Sequence, residues 1–442
     1  AMAGFEKVIG FDMGGTSTDV SHYAGTFERS FETQVAGVRL RSPIMQIHTV
    51  AAGGGSLLHF DGARFRVGPE SAGADPGPAC YGRGGPLTVT DANVFLGRVQ
   101  PSHFPHVFGK NGKASLDRQA AAHRFRALAK EVNLGLGIAT SAEAVAEGFL
   151  KVAVENMANA IKKISVQRGY DVTEYTLACF GGAGGQHACQ VADTLGMTTV
   201  HIHPFAGVLS AYGMGLAEIT AHRERTIEQE LTAELEPPLD DIADALANEI
   251  RAELAGQGIA VDRVRLRHNA HLRYAGTDTA LDVPLGPARE MAHAFLTAHR
   301  ARFGFADPGR DLIVESLAVE GTAVTEKTSE ASIAKSTEAP KPIDTVPLYL
   351  DGSTGMVPVF NRDTLRQGDT LPGPAILAER TGTTIVEPGW TAKVNAQGHL
   401  IMTRVAPRCD APAIGTNADP VMLEVFNNLF MSIAEQMGAV LA

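Results

Sequence analysis

Glycine in this chain is gathered into clusters where apolar runs end, and that gathering constrains the fold more than any other feature. The run Val8-Ile9-Gly10-Phe11 leads into Asp12-Met13-Gly14-Gly15-Thr16-Ser17-Thr18-Asp19, and a second strand-like run follows at once. Two adjacent glycines between such runs predict a tight hairpin. A hairpin turn alone would account for Gly14 and Gly15, but not for two flanking aspartates and three hydroxyls. Successive N–H groups in the turn, with Thr16 and Thr18 beside them, can hold phosphate oxygens. Asp12, at a strand end, can hold Mg2+ through its waters. The pattern GxxxxGK[ST] is absent, so this phosphate device is not a P-loop.

A second cluster, Phe180-Gly181-Gly182-Ala183-Gly184-Gly185-Gln186-His187, joins a strand expected over 175–180 to a helix expected over 187–195. With a second strand at 198–203 this is a βαβ pattern. Glycine at a helix N-terminus makes an anion or nucleotide seat, although a plain tight turn explains this loop equally well. A dinucleotide fingerprint would need glycine where His187 stands. The third cluster, Gly53-Gly54-Gly55-Ser56, lies in a Gly- and Pro-rich stretch over 43–100. Loops of that density approach a ligand or a partner.

The rest of the chain divides by pattern. Runs at 8–11, 19–23 and 27–38 suggest an opening β-meander, and a short basic helix is expected over 115–131. The strongest helical periodicity runs from 141 to 168, with Thr140 and Glu143 read as a capping box. Beyond 235, helices at 242–254 and 291–303 alternate with strands at 264–274 and 312–324. The polar stretch 326–343 suggests a linker, and 344–405 shows short strands punctuated by Gly and Pro. An amphipathic run from Leu423 to Met437 is still helical at the last residues, which suggests a piece of a longer polypeptide. The expected division is 4–233, an α+β part over 234–330, a β-rich part over 344–407, and the start of a further region over 418–442.

Charge and cysteine narrow the function. A net charge of −11 is a poor footprint for nucleic acid or an anionic membrane, and no apolar run reaches membrane length. Cys80, Cys179, Cys189 and Cys409 show no CxxC pair, which suggests a reducing, cytoplasmic setting. Neither Cys179 nor Cys189 has a basic activator nearby in sequence, so neither is read as a nucleophile. His187 is expected to pack or hydrogen-bond locally. His201 and His203, alternating without a third ligand in view, are read as structural, as are His48, His59, His103 and His106.

Taken together, the two main clusters resemble the nucleotide site of the actin-like ATPase superfamily, whose ribonuclease-H-like core occurs twice. A DxGG hairpin there straddles the phosphates and a later GG loop cups the adenosine. This chain resembles the second copy only, carrying an α+β insertion and a C-terminal β-rich part. The ordered motifs FDMGGTSTDVS, TVAAGGGSL, GADPGPACYGRGGPLTVTDANVFLGR, VENMANAIKKISVQRGYD, CFGGAGGQHA and PFAGVLSAYGMGLA resemble the hydantoinase A and 5-oxoprolinase family across most of 5–405. His271-Leu272-Arg273-Tyr274-Ala275-Gly276-Thr277-Asp278 is similar to the oxoprolinase form of its motif. The tail from Asp419 to Ala439 resembles the opening of the hydantoinase B partner, fused here to the A part.

This resemblance implies an enzyme that opens a cyclic amide with ATP and Mg2+, 5-oxoproline to glutamate with ADP and phosphate released, as in the glutathione cycle. It implies a small lactam or imide substrate, the fused B region as partner, and a homo-oligomer. It assigns Asp12 to Mg2+ and catalysis, and Gly14, Gly15, Thr16, Thr18, Asp19, Gly181, Gly182 and Gly184 to nucleotide. Asp91 is expected to be catalytic, and Gly53, Gly54, Gly55, Ser56 and Arg83 to face the substrate. A hydantoinase or ATP-dependent ketone carboxylase subunit is the near alternative, and an actin-like chaperone or filament protein the distant one.

Overall fold

The computed structural model describes residues 3–25, 27, 29–35, 38–166, 169–323, 330–407 and 419–441. Cys409, residues 326–329 of the expected linker and residue 418 lie outside them. The chain opens with the hairpin of β1 (Lys7–Met13) and β2 (Thr18–Ala24). Among the described residues, strands β3 (Arg29–Val35) and β4 (Val38–Met45) pair only with each other. The third strand beside β2 is therefore β5 (Ile47–Val50), not the expected run at 27–38. A further hairpin, β6 (Ser56–Phe60) and β7 (Phe65–Ser71), precedes helices α1 (Val89–Leu96), α2 (Arg118–Leu136) and α3 (Ala142–Ile164). Then come β8 (Thr176–Phe180), α4 (Ala188–Leu195), β9 (Thr199–Ile202) and α5 (Leu209–Leu216).

An α+β unit follows: β10 (Thr220–Glu230), α6 (Glu236–Gly256), β11 (Val264–Tyr274), β12 (Leu281–Pro284), α7 (Ala288–Phe303) and β13 (Leu312–Ala323). Its strands run in the order β10-β13-β11-β12 over a core of their own, centred on Leu239, Ile250, Leu272 and Phe295. The unit thus takes its first strand from 220, earlier than the expected 234. The last part holds β14 (Asp344–Leu350), β15 (Ser353–Asn361), β16 (Thr370–Pro372), β17 (Ala375–Ala378), β18 (Thr383–Val386), β19 (Trp390–Val394), β20 (Leu400–Arg404) and α8 (Pro420–Leu441).

The central sheet has the order β16-β19-β20-β9-β8-β1-β2-β5. Strands β1, β8 and β9 are parallel and carry antiparallel neighbours on both sides. Strict alternation in β1 sends Ile9, Phe11 and Met13 into the core and leaves Asp12 partly exposed. The segment 344–407 is therefore not a unit apart. Its strands β16, β19 and β20 extend the central sheet, because Trp390, Ala392, Val394, Leu400 and Met402 bury into the core that β1 and β8 share. The other four strands form a small sheet, β14-β15-β17-β18.

The central helix α3 buries Phe149, Val152, Met157, Ile161 and Ile164, the apolar stripe its periodicity requires. Its N-cap is Ser141, whose Oγ accepts from the Ala144 N–H at 3.1 Å, in place of the expected Thr140. The expected linker also differs. From Glu330 onward it lies against the central sheet, with Ile333 on the main core and its N–H donating to the Ala396 carbonyl. No helix among the described residues is long and apolar enough to cross a membrane.

Candidate functional site

All three glycine clusters meet at the carboxyl end of β1. The Gly14 N–H donates to the Ser17 carbonyl at 3.1 Å and closes the β1–β2 turn. Behind it, the Gly54 N–H donates to the Gly14 carbonyl at 3.1 Å and the Gly55 N–H to the Gly15 carbonyl at 2.5 Å. A Cβ on Gly53 would sit 2.6 Å from the Thr16 backbone, so glycine is required there for the two segments to touch. Thr18 donates to the Ala52 carbonyl, Thr90 Oγ1 to the Gly54 carbonyl, and Ser56 Oγ accepts from the Gly53 N–H. Gly53, Gly54, Gly55 and Ser56 are all buried. They brace the turn from behind, which corrects the expectation that they face substrate.

The front of the turn is different. Gly15 and Thr16 are exposed, a Cβ at Gly15 would meet nothing within 4 Å, and neither Gly14 nor Gly15 has positive φ. No packing among the described residues and no left-handed backbone calls for glycine at Gly15, so the front of the turn is open.

The loop after β8 closes over the same spot. Gly181 has φ +82°, and a Cβ there would lie 2.3 Å from the Met13 carbonyl and 2.5 Å from Asp12 Oδ1. Gly184 sits where a Cβ would meet Cys179 Sγ at 2.8 Å. The Ala183 N–H donates to the Met13 carbonyl, and the Gly181 N–H to the Ala206 carbonyl. Gly181 and Gly182 line a narrow gap together with Thr381, Gly382, Thr383, Thr384, Ala206 and Gly207, and its volume of about 10 Å³ holds about one water. Partly buried Glu379 also lines it, its carboxyl pushed up by desolvation against the opposing Arg362.

Asp12 stands between the turn and the gap. It lies opposite Asp19 across the hairpin and accepts from Ser210 Oγ at 2.9 Å. Burial raises its pKa, the Ser210 hydrogen bond opposes that, and the Asp19 charge adds to it. Asp19 is held by Thr49 Oγ1. Two adjacent carboxylates, one of them disfavoured as an anion, fit a hard divalent cation, whose charge would offset both effects.

Asp91 and Arg83 lie elsewhere in role. Asp91 is fully buried at the start of α1, where it accepts from the N–H groups of Ala79, Cys80 and Thr88 and from Thr88 Oγ1. Its carboxylate has no open face for substrate, so the expected catalytic role gives way to holding the 79–91 loop. Arg83 donates to the carbonyls of Gly109 and Ala74 and ties two loops. Burial pushes the Cys179 and Cys189 thiols up, which keeps them protonated. His187 is buried, shares a hydrogen bond with Asn93 and is pushed down to about 3 by burial and Arg98.

Beneath the glycine loop, Arg98 is 1% exposed and pairs with Glu387, while its Nη2 donates to the Gln186 carbonyl at 2.6 Å. Arg98→Ala would strand a buried carboxylate, and the expected loss is about 3–5 kcal/mol by urea unfolding. The paired change Arg98→Met with Glu387→Leu should recover most of it.

Ser210, Glu379 and Thr381–Thr384 carry no role in the motif reading above. The signal available was the Thr-Gly-Thr-Thr run at 381–384, another glycine amid hydroxyls.

The layout is that of an α/β protein with a candidate ligand site at the carboxyl edge of its central parallel strands. A family model described as hydantoinase/oxoprolinase matches residues 1–223. The chain is 38% identical over 443 residues to the 5-oxoprolinase of Dictyostelium discoideum and 40% identical over 448 residues to 5-oxoprolinase 1 of Arabidopsis thaliana. Each match covers 99% of this chain and 35% of the relative. The solved ATP-dependent caprolactamase from Pseudomonas jessenii superposes with a TM-score of 0.81 at 29% identity, over 91% of this chain and 60% of that one. The chain belongs to the hydantoinase/oxoprolinase family. It spans about a third of the length of the curated relatives it matches.

Proposed function

We propose that this chain is the nucleotide-binding part of an ATP-dependent cyclic amide hydrolase, and that its substrate is 5-oxo-L-proline. The observation that carries the reading is the meeting of an open glycine turn, an aspartate pair and a second glycine loop at one strand edge. In this reading the fold is the second copy of an actin-like core. Phosphates lie on the N–H groups of Gly15 and Thr16, beside Gly14 whose own N–H closes the turn, and adenosine lies at the loop of Gly181 and Gly182, where the narrow gap to Thr381–Thr384 widens to admit it. Asp12 and Asp19 hold Mg2+, which supplies charge neutralisation on the transferring phosphoryl group. Ser210 orients Asp12, and Gly184 keeps the loop flush with Cys179.

The chemistry follows from the lactam. Its carbonyl carbon is a poor electrophile, and moving the γ-phosphoryl group of ATP onto the lactam oxygen releases ADP and activates that carbon. One water adds to the carbon, the ring C–N bond breaks with the proton going to nitrogen, and a second water releases phosphate. The products are glutamate, ADP and phosphate. Positioning and charge neutralisation are what phosphoryl transfer asks of a protein, and backbone donors in a preorganised turn supply both. Names among the relatives support the substrate class: two are 5-oxoprolinases and one is an ATP-dependent caprolactamase. The remaining lactam-facing groups belong to the fused B region, the whole assembles as a homo-oligomer, and the buried free thiols of Cys80, Cys179 and Cys189 suit a reducing cytoplasm.

ADP release by the full-length polypeptide, followed with 5-oxoproline, hydantoins and ketones in parallel, tests the reading. The expected result is stimulation by 5-oxoproline alone. Stimulation by a hydantoin or a ketone instead would move the chain to the hydantoinase or carboxylase branch, and nucleotide-driven polymerisation without any small substrate would sink the enzyme reading. Gly15→Ala in the same protein should leave stability within about 0.5 kcal/mol while weakening ATP affinity severalfold by calorimetry.

A further inference from the structure

A second cluster of chemistry sits at the ends of β9 and β20, among residues the reaction above does not use. These strands are antiparallel partners with Ile202 opposite Leu400. That register brings His203, one residue after Ile202, beside His399, one residue before Leu400. Glu330 arrives between them from the segment that follows the α+β unit. His203 Nε2 is 2.9 Å from Glu330 Oε1, and His399 Nε2 is 2.7 Å from Glu330 Oε2. The three donor atoms all lie within 4.8 Å of one another. His399 and His203 are 2% and 7% exposed. The paired-histidine reading from sequence saw His201 and His203 without a third ligand, and the fold supplies two from 127 and 196 residues beyond His203.

The geometry points to a binding site for a borderline divalent cation of the Zn2+ class, held by His203 Nε2, His399 Nε2 and the Glu330 carboxylate. Two imidazoles and one carboxylate match the donor preference of Zn2+, whereas Mg2+ favours oxygen throughout. Metal–ligand bonds of about 2.0–2.1 Å in a tetrahedral site set donor atoms about 3.3 Å apart, so the two contacts to Glu330 lengthen by about half an ångström on loading. The fourth position is left to water.

The proton positions are consistent with this exchange. His399 Nδ1 lies 2.8 Å from His201 Nε2. With metal on Nε2, His399 donates its Nδ1 proton to His201 Nε2. This is the outer hydrogen bond that fixes a ligating histidine. His203 must give up one contact: its Nδ1 accepts from the Phe205 N–H at 3.0 Å. A cation on Nε2 displaces the proton shared with Glu330, Nδ1 takes a proton, and the Phe205 N–H gives up this acceptor.

The site would act as a staple. It joins three segments far apart in sequence, and a cation that closes long loops adds its binding energy to folding. It also backs the gap, since the turn after His203 carries the Ala206 carbonyl that receives the Gly181 N–H.

The test uses the full-length polypeptide, stripped with EDTA and reloaded separately with Zn2+ and with Co2+. Wild type is compared with Glu330→Gln, which keeps the side-chain shape, and with His399→Gln. The expected result is one more bound Zn2+ per chain in wild type than in either variant. Wild-type Co2+ should show visible absorption of a tetrahedral site that both variants lack, and Zn2+ should raise the melting temperature of wild type only. Equal Zn2+ stoichiometry in wild type and Glu330→Gln, with the same Co2+ spectrum, would overturn the inference. If His399→Gln does not fold, the Glu330→Gln comparison decides by itself.

Discussion

Replacing Asp12 by alanine in the full-length polypeptide is expected to lower nucleotide turnover by about a hundredfold or more, the usual cost of removing one preorganised electrostatic group. Asp12 sits at the carboxyl end of β1, opposite Asp19, with Gly181 packed against its Oδ1. No other carboxylate among the described residues joins the turn to the gap in this way. Turnover retained within a fewfold, measured as ADP release, would remove Asp12 from the chemistry.

The same residue carries a pH signature whose sign follows from its raised pKa. Below its ordinary value of 3.8 the group is protonated folded or unfolded and contributes no difference. As pH rises through 3.8 to the raised folded value, the folded state is disfavoured, and the penalty stays in full at neutral pH. Asp12→Asn should therefore raise the metal-free melting temperature at neutral pH while losing the stabilisation by Mg2+. In acid, below the ordinary value, wild type and variant should melt together.

The second large effect is expected at Gly181. Valine there would meet the Met13 backbone and Asp12 at distances no real Cβ adopts, and at a φ of +82° that disfavours any side chain. Left-handed strain of about 1–2 kcal/mol and overpacking of about 1–3 kcal/mol add to a loss of about 2–5 kcal/mol in denaturant unfolding. Nucleotide binding should vanish with it, since the loop cannot stay flush with β1. The contrast with Gly15→Ala separates a glycine the fold needs from one that fits a ligand.

Local signals in the sequence were enough to mark the β1–β2 turn, the βαβ unit and both of its glycine breaks, because turn chemistry and periodicity act over a few residues. They could not mark partners set by long-range pairing. The β3–β4 hairpin looks like a continuing meander until pairing shows β5 taking the third place beside β2. Gly53–Gly55 look like a ligand loop, because tight packing on a turn and tight packing on a phosphate both require glycine. Asp91 looks available because its burial depends on where residues 79–80 fold back. Strands β16, β19 and β20 are short and Gly-bounded like those of a separate small unit, and only the pairing of β20 with β9 and the burial of Trp390 and Met402 tie them to the central sheet. Ser210 and Glu330 were invisible for a simpler reason: a lone hydroxyl or carboxylate has no pattern until its partners are placed.

The most direct measurement is a structure of the full-length polypeptide with Mg2+ and a non-hydrolysable ATP analogue. The account predicts phosphate oxygens against the N–H groups of Gly15 and Thr16, the cation at Asp12, and adenosine at the loop of Gly181 and Gly182 with its gap to Thr381–Thr384 widened. Nucleotide bound at another place, with the β1–β2 turn and the gap both empty, would contradict it.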